Sequence, residues 1–321
     1  MKKQFINSLS SGEAVDDLFV LSEKTLGQKK DGNPYLNATL CDRTGSIKAV
    51  AWDNVSQISG NVSNGDFVKI RGLVSEYKGI LQLVIREMTA HDPETVDAAD
   101  FLPVSRRNPD TMLERLQKLI DSVQCPHLKQ LLESFFNDTE FVRKFTSAPA
   151  GKKMHHAYIG GLLEHSLSVS ILADKVASHY SGIDRDLLLA GALLHDVGKI
   201  REFSYRTAID YSDEGRLLSH IIVGLEMVDE KLNAIHGFPE EKALLLKHMI
   251  ISHHGTREFG SPEPPKTIEA VLLNYVDEID SKVNAIREFM DKENTGETWT
   301  SFHRLLGRHF YMGNHQETSG R

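Results

Sequence analysis

The sequence predicts two domains, a small all-β closed barrel followed by an all-helical domain. Three observations carry that prediction. Residues 13–90 alternate apolar and polar positions with a period near two, broken by turn signals. Residues 90–110 gather Pro93, Pro103 and Pro109 among acidic and small residues, as a linker does. From residue 110 onward apolar positions recur at helical spacing. A length of 321 residues suits two domains of ordinary size. The expected boundaries are 1–90 for the barrel, 91–109 for the linker, 110–312 for the helical domain and 313–321 for a polar tail.

The first strand starts at Asp17-Leu18-Phe19-Val20-Leu21 and gives way to a polar loop from Gly27 to Pro34. Tyr35–Cys41 and Ser46–Trp52, joined by Asp42-Arg43-Thr44-Gly45, read as a hairpin. After the turn cluster Asn61–Asp66 come Phe67–Val74 and, past Tyr77-Lys78-Gly79, Ile80–Ile85. Five strands in about 75 residues suit a small closed barrel. Asn108-Pro109 then reads as a helix cap with proline in the first turn. The stretches Leu128–Phe136, Gly161–Tyr180, Asp184–His195, Leu218–Ile235, Glu240–His254 and Ile268–Met290 follow as helices, and everything past residue 110 is expected to be helical.

Hydrophobic residues at 40% and charged residues at 26% exclude a disordered chain. A formal charge of −8 removes any bulk attraction to nucleic acid or anionic membrane, so a polyanion must be held by a local patch or by bound metal. Cys41 and Cys125 lack CxxC spacing, no signal-like segment follows Met1, and no apolar run approaches the roughly 20 residues of a membrane span. A cytoplasmic protein with no membrane partner is the expectation.

Histidine is the outlier, at 15 residues. Leu193-Leu194-His195-Asp196-Val197-Gly198-Lys199 ends an apolar helix with two metal-ligand side chains in succession, and Gly198 reads as the helix stop. Such a pair alone is weak, since histidine also suits a helix C-terminus. The case strengthens because His165, His220, His253-His254 and Asp277 recur at the ends or inner faces of other apolar helices. Asp277 and Asp280 lie on one side of the same helix, and the residues alone leave both open.

His165, His195-Asp196 and Asp277 resemble the H…HD…D pattern of the HD-domain metal-dependent phosphohydrolases. His220 and His253-His254 resemble the additions of its binuclear members. The resemblance implies one metal on His165, His195, Asp196 and Asp277, and a second on His220, His253 and His254 that shares Asp196. It also selects Asp277 as ligand and leaves Asp280 in a supporting place. Two divalent transition-metal ions are expected, Mn preferred, with Fe, Co, Ni or Zn suited to the same imidazole and carboxylate set. Such a pair serves in-line displacement at phosphorus. Asp196 is then catalytic as the shared ligand, and Lys199 is catalytic as the ammonium that meets a non-bridging phosphate oxygen.

The barrel resembles the OB-fold, which commonly binds single strands. Expected nucleic-acid contacts are Tyr35, Trp52, Tyr77, Lys69 and Arg71 on the barrel and His156 beside the metal site, although Trp52 and Phe67 equally suit a barrel interior. The order barrel, linker, HD domain resembles the YhaM-type 3′-5′ exoribonucleases. Asp100–Ser105, Ala148–Ala150, His155–His165, Ser252–Gly255 and Gly260-Ser261-Pro262 carry that match, which spans nearly the whole chain. It implies trimming of single-stranded RNA, and of single-stranded DNA, from the 3′ end to 5′-mononucleotides, with a homo-oligomer left open. Asn274 departs from the family, which offers histidine there. The alternatives are a nucleotide or cyclic-dinucleotide phosphohydrolase and a nucleic-acid-binding regulator with an inactive HD domain. Against the cyclic-dinucleotide reading, residues 255–265 lack the Gly-Tyr-Pro element of those enzymes, and the complete ligand set argues against a dead site.

Overall fold

Alternation of buried and exposed side chains builds the barrel in the computed structural model, which describes residues 2–152, 154–293 and 297–313. Its strands are β1 (Ala14–Gln28), β2 (Pro34–Asp42), β3 (Gly45–Ala51), β4 (Phe67–Tyr77) and β5 (Ile80–Ala90), closed in the order β1-β2-β3-β5-β4. Phe19, Leu21, Leu36, Leu40, Ile70 and Leu83 point inward and are buried. β1 serves two neighbours: residues 14–20 pair with β4 and residues 20–28 with β2, the strand bending at a bulge between Leu21 and Glu23. A second bulge at Arg71/Gly72 needs glycine, because a Cβ there would sit 2.4 Å from the Val84 carbonyl oxygen.

Several elements differ from expectation, β4 running on to Tyr77 and β5 to Ala90 past the expected Val74 and Ile85. β1 runs on to Gln28, seven residues past Leu21, since pairing with β2 holds it where no apolar side chain is buried. A short helix, α1 (Val55–Ser59), follows β3 and buries Val55 and Ile58 in the barrel core. Farther on, Phe101 meets Phe67 edge-on at 4.9 Å.

The remaining elements are α2 (Pro109–Asp121), α3 (Pro126–Phe136), α4 (Thr139–Ser147), α5 (Gly161–His179), α6 (Arg185–Leu194), α7 (Lys199–Glu202), α8 (Asp213–Asn233), α9 (Glu240–Ser252) and α10 (Ile268–Lys292). Asn108 caps α2, its side chain accepting from the Thr111 N–H at 3.0 Å. The expectation of unbroken helix is corrected by a two-stranded hairpin, β6 (Phe203–Tyr205) and β7 (Ile209–Tyr211), too short for any period to reveal. α6 is the central helix: every residue from Leu187 to Leu194 is buried.

The chain divides into two compact units, one reaching residue 104 and taking in 204–210, the other holding 105–203 and the described residues from 211 on. No helix among the described residues is long and apolar enough to cross a membrane. The expected polar tail lies, apart from Gly313, outside the described residues.

Candidate metal centre

The buried helix α6 delivers His195 and Asp196 to the centre of the second unit, where α5 brings His165, α8 His220, the end of α9 His253 and His254, and α10 Asp277. Gly198, expected as the helix stop, lies between α6, which ends at Leu194, and α7. Its φ is −62°, and glycine is required because a Cβ would lie 2.0 Å from the His220 carbonyl oxygen. The turn after Asp196 thus presses directly on the α8 backbone, which sets His220 against Asp196.

Five imidazoles are oriented alike by their outer nitrogens. Nδ1 of His195, His253 and His254 lies 2.9, 2.7 and 2.9 Å from the carbonyl oxygens of Ala192, Ile250 and Phe259. Nδ1 of His220 lies 2.9 Å from Glu202 Oε1, and that of His165 lies 2.9 Å from Asp280 Oδ2. All five partners are acceptors, so Nδ1 is the donating nitrogen of each ring and Nε2 is the one turned inward. His165 Nε2 stands 3.2 Å from His195 Nε2, 3.3 Å from Asp196 Oδ2 and 3.2 Å from Asp277 Oδ1. Asp196 Oδ1 faces the other way, 3.5 Å from His220 Nε2 and 3.6 Å from His253 Nε2.

Those contacts test the fit of a metal. Asp196 Oδ1, His220 Nε2 and His253 Nε2 are buried without a hydrogen-bond partner, and acceptors that face one another at about 3 Å call for a proton or a metal ion between them. His165, His195 and Asp277 form one cluster that could hold a metal ion, and His220, His253 and His254 a second. The donor set fits divalent transition metals. A third grouping, His156, His165 and Asp280, is a closed hydrogen-bond network, because Asp280 Oδ2 already takes both rings, at 2.8 and 2.9 Å.

Charge is distributed to suit. Burial works against ionised Asp196, but Lys199 and His195 overcome it and hold the carboxyl well below the usual carboxylate range. Burial likewise opposes ionised Asp277, which the His165 hydrogen bond and charge depress far below its ordinary value. Burial lowers His220, His253 and His254, the last to about 4, so these rings stay neutral and able to ligate. Lys199 is buried with Nζ 2.6 Å from Asp196 Oδ2; burial opposes its charge, and Asp196 more than restores it.

On the barrel, Tyr35 and Trp52 stack with ring centroids 5.3 Å apart and planes at 26°. With Tyr77, Lys48 and Gln82 they line a groove of about 550 Å³. Trp52 is 44% and Tyr77 60% exposed, so neither fills the core, whereas Phe67 is buried. Lys69 and Arg71 are not brought to this groove. They stand on β4, tied to Asp16 at 3.2 and 3.1 Å, and Arg71 also reaches Glu87 at 3.2 Å.

A family model described as HD domain matches residues 162–282, and one described as OB-fold nucleic acid binding domain matches 20–90. The 3′-5′ exoribonuclease YhaM of Geobacillus sp. (strain WCH70) is 35% identical over 301 residues, 94% of this chain and 92% of that protein. The chain belongs to the YhaM family. Among solved structures, the second OB-fold domain of replication protein A from Methanococcus maripaludis aligns at 20% identity, covering 28% of this chain and 94% of that one, with TM-score 0.24. PriB of Ralstonia solanacearum aligns at 15% identity over 25% of this chain and 97% of that one, with TM-score 0.22.

In this YhaM-family chain, two carboxylates orient the candidate ligands: Glu202, which the sequence does not single out, and Asp280, for which a supporting place was expected. Glu202 accepts from both the His220 N–H and Nδ1, each at 2.9 Å, and Asp280 takes His165, His156 and the Ser168 hydroxyl. The signal of Glu202 is a carboxylate within one or two turns of a candidate ligand, too common to single out. His156 is a correction. It is 2% exposed, and its ring nitrogens are engaged by Asp280 and the Tyr158 hydroxyl, so it offers a strand nothing and instead buttresses Asp280. Asn274 donates to the His253 carbonyl oxygen at 2.7 Å, so the departure from histidine alters packing behind a ligand.

Strain gathers around this YhaM-family site. His155, His156 and Ser219 have φ of +30°, +56° and +61°. Ser219, with ψ 161°, breaks α8 just before His220 in a region that suits glycine alone, at a cost of about 1–3 kcal/mol. Ser219→Gly is therefore expected to raise the stability of metal-free protein by about 1 kcal/mol, and Ser219→Val to lower it by about 2 kcal/mol or more, in urea unfolding. Equal stability of the two variants would show that the break is unstrained.

Proposed function

We propose that the chain is a metal-dependent 3′-5′ exonuclease that hydrolyses single-stranded RNA, and single-stranded DNA as well, to 5′-mononucleotides in the cytoplasm. The observation that carries this reading is the Asp196 carboxylate lodged between two sets of inward-facing imidazole nitrogens, on a chain that belongs to the YhaM family. The free thiols of Cys41 and Cys125 accord with a reducing compartment.

His165, His195, Asp196 and Asp277 would hold one ion, and His220, His253 and His254, with Asp196 shared, the other; Mn is preferred. When bound, such a pair of cations activates water near neutral pH and offsets charge on the attacking and leaving oxygens. Water adds to the terminal phosphorus, the P–O3′ bond breaks, and the released nucleotide keeps the phosphate on its 5′ oxygen. Lys199 lies close enough to Asp196 for its ammonium to offset charge on a non-bridging oxygen as the phosphorus becomes five-coordinate. Glu202 and Asp280 hold imidazole orientation throughout.

Labelled single strands test direction. A 3′-phosphate is expected to stop trimming, while a 5′ block leaves it unchanged. Cleavage within a circular single strand would sink the reading.

The barrel groove is proposed to hold bases of the strand on Tyr35, Trp52 and Tyr77. Stacking of this kind contributes about 1–3 kcal/mol per base. Trp52→Ala is expected to raise KM for long strands about tenfold and leave kcat nearly unchanged, since it removes binding common to ground and transition states. An unchanged KM in a folded variant would remove Trp52 from the strand path.

A further inference from the structure

α10 buries one face, which carries Leu273, Val276 and Asp280, and turns an apolar row outward. Ile268, Tyr275, Ile279 and Val283 are between 42% and 61% exposed. Half-buried Leu272, Ile286 and Met290 complete the row. The positions 268, 272, 275, 279, 283, 286 and 290 are separated by threes and fours and so stay on one side of a nearly straight helix. At 25 residues the helix is about 37 Å long. A solvated helix face ordinarily carries charged and polar side chains, so an apolar row of this length marks an interaction surface.

We propose that this row is where two copies of the chain meet, α10 of one lying antiparallel to α10 of the other with Ile279 on the two-fold axis. The charges beside the row favour a second copy as the occupant. By helical angle, Glu269 and Arg287 flank one edge and Glu278 and Lys282 the other. On each edge the acid precedes and the base follows a midpoint near 279. Reversing the second helix lays Glu269 opposite the other copy's Arg287 along one edge and Glu278 opposite its Lys282 along the other, as an isologous contact requires. A parallel pair would set the two acidic N-terminal halves side by side.

The apolar surface continues past the helix. Residues 297–313 fold back on the end of α10, with Phe289 4.5 Å from the His303 ring and 6.5 Å from that of Phe310 between centroids. This segment exposes Trp299, Phe302, Leu305 and Tyr311 beside the end of the row that would receive Ile268 of the second copy. A stable interface takes roughly 800 Å² from each partner, and these side chains extend the helix row towards that area.

Sedimentation of the full chain at micromolar concentration is expected to give twice the chain mass, and Ile279→Asp the single-chain mass with an unchanged circular dichroism spectrum. Register is tested by oxidative cross-linking in a background with Cys41 and Cys125 replaced by serine. Ile279→Cys should link to its own copy and Ile268→Cys should not, while a mixture of Ile268→Cys and Met290→Cys should link. A monomeric wild type, a dimer that survives Ile279→Asp, or self-linking of Ile268→Cys overturns the proposal. So does a single-chain mass accompanied by new proteolysis in Ile279→Asp, which would mean that another part of the same chain covers the row.

Discussion

Replacing Asp196 by Asn is expected to lower hydrolysis at least a thousandfold, about 4 kcal/mol of barrier, and to reduce bound metal per chain. Among the described residues, Asp196 is the carboxylate whose two oxygens face both imidazole clusters, Oδ2 towards His165 and His195 and Oδ1 towards His220 and His253. The amide keeps the volume but removes the charge that would balance the two proposed cations and puts an N–H₂ donor against one set of inward-facing nitrogens. Asp280→Asn should cost about 10–100-fold, because it acts on His165 only through Nδ1. Elemental analysis and single-turnover cleavage measure both. A larger loss from Asp280 than from Asp196 would mean that the ligand and its support are reversed.

Lys199→Met is expected to lower kcat by about 100–1000-fold, the usual effect of removing one charged donor from a developing oxyanion, while metal content holds. The ammonium is buried 2.6 Å from Asp196 Oδ2, so its other influence is on that carboxylate. Removing it takes away the leading favourable charge on Asp196 and lets its carboxyl rise from its depressed position. The two roles separate in the measurement. Metal occupancy falling in step with kcat would make Lys199 a prop for Asp196, whereas retained metal with lost kcat places it on the phosphate.

The five strands and the principal helices of the second unit were legible because each buries a repeating face: Leu36, Ala38 and Leu40 alternate along β2, and Leu187–Leu194 form an apolar block. What burial does not mark was not legible. The outer half of β1 buries no apolar side chain and is held by backbone pairing and by Lys24 donating to the Ser59 carbonyl oxygen at 2.8 Å, and the β6–β7 hairpin has three-residue strands. The ligand types stood out as His and Asp at the ends of apolar helices, where a polar side chain is otherwise out of place. Their orientation did not, because it depends on Ala192, Ile250 and Phe259 carbonyls and on Glu202 and Asp280, contacts fixed by helix packing.

By itself the sequence determined the two fold classes and offered candidates for the site: the His and Asp residues able to bind metal and the aromatics Tyr35, Trp52 and Tyr77. Only the tertiary structure decided which of their atoms meet. It separated Asp277, on His165 Nε2, from Asp280, on Nδ1, although the two carboxylates share one side of α10. It turned His156 inward and bound Lys69 and Arg71 to Asp16. Periodicity reports only whether a side chain faces a core, whereas ligation and ion pairing depend on distances of a few ångströms between atoms far apart in the chain.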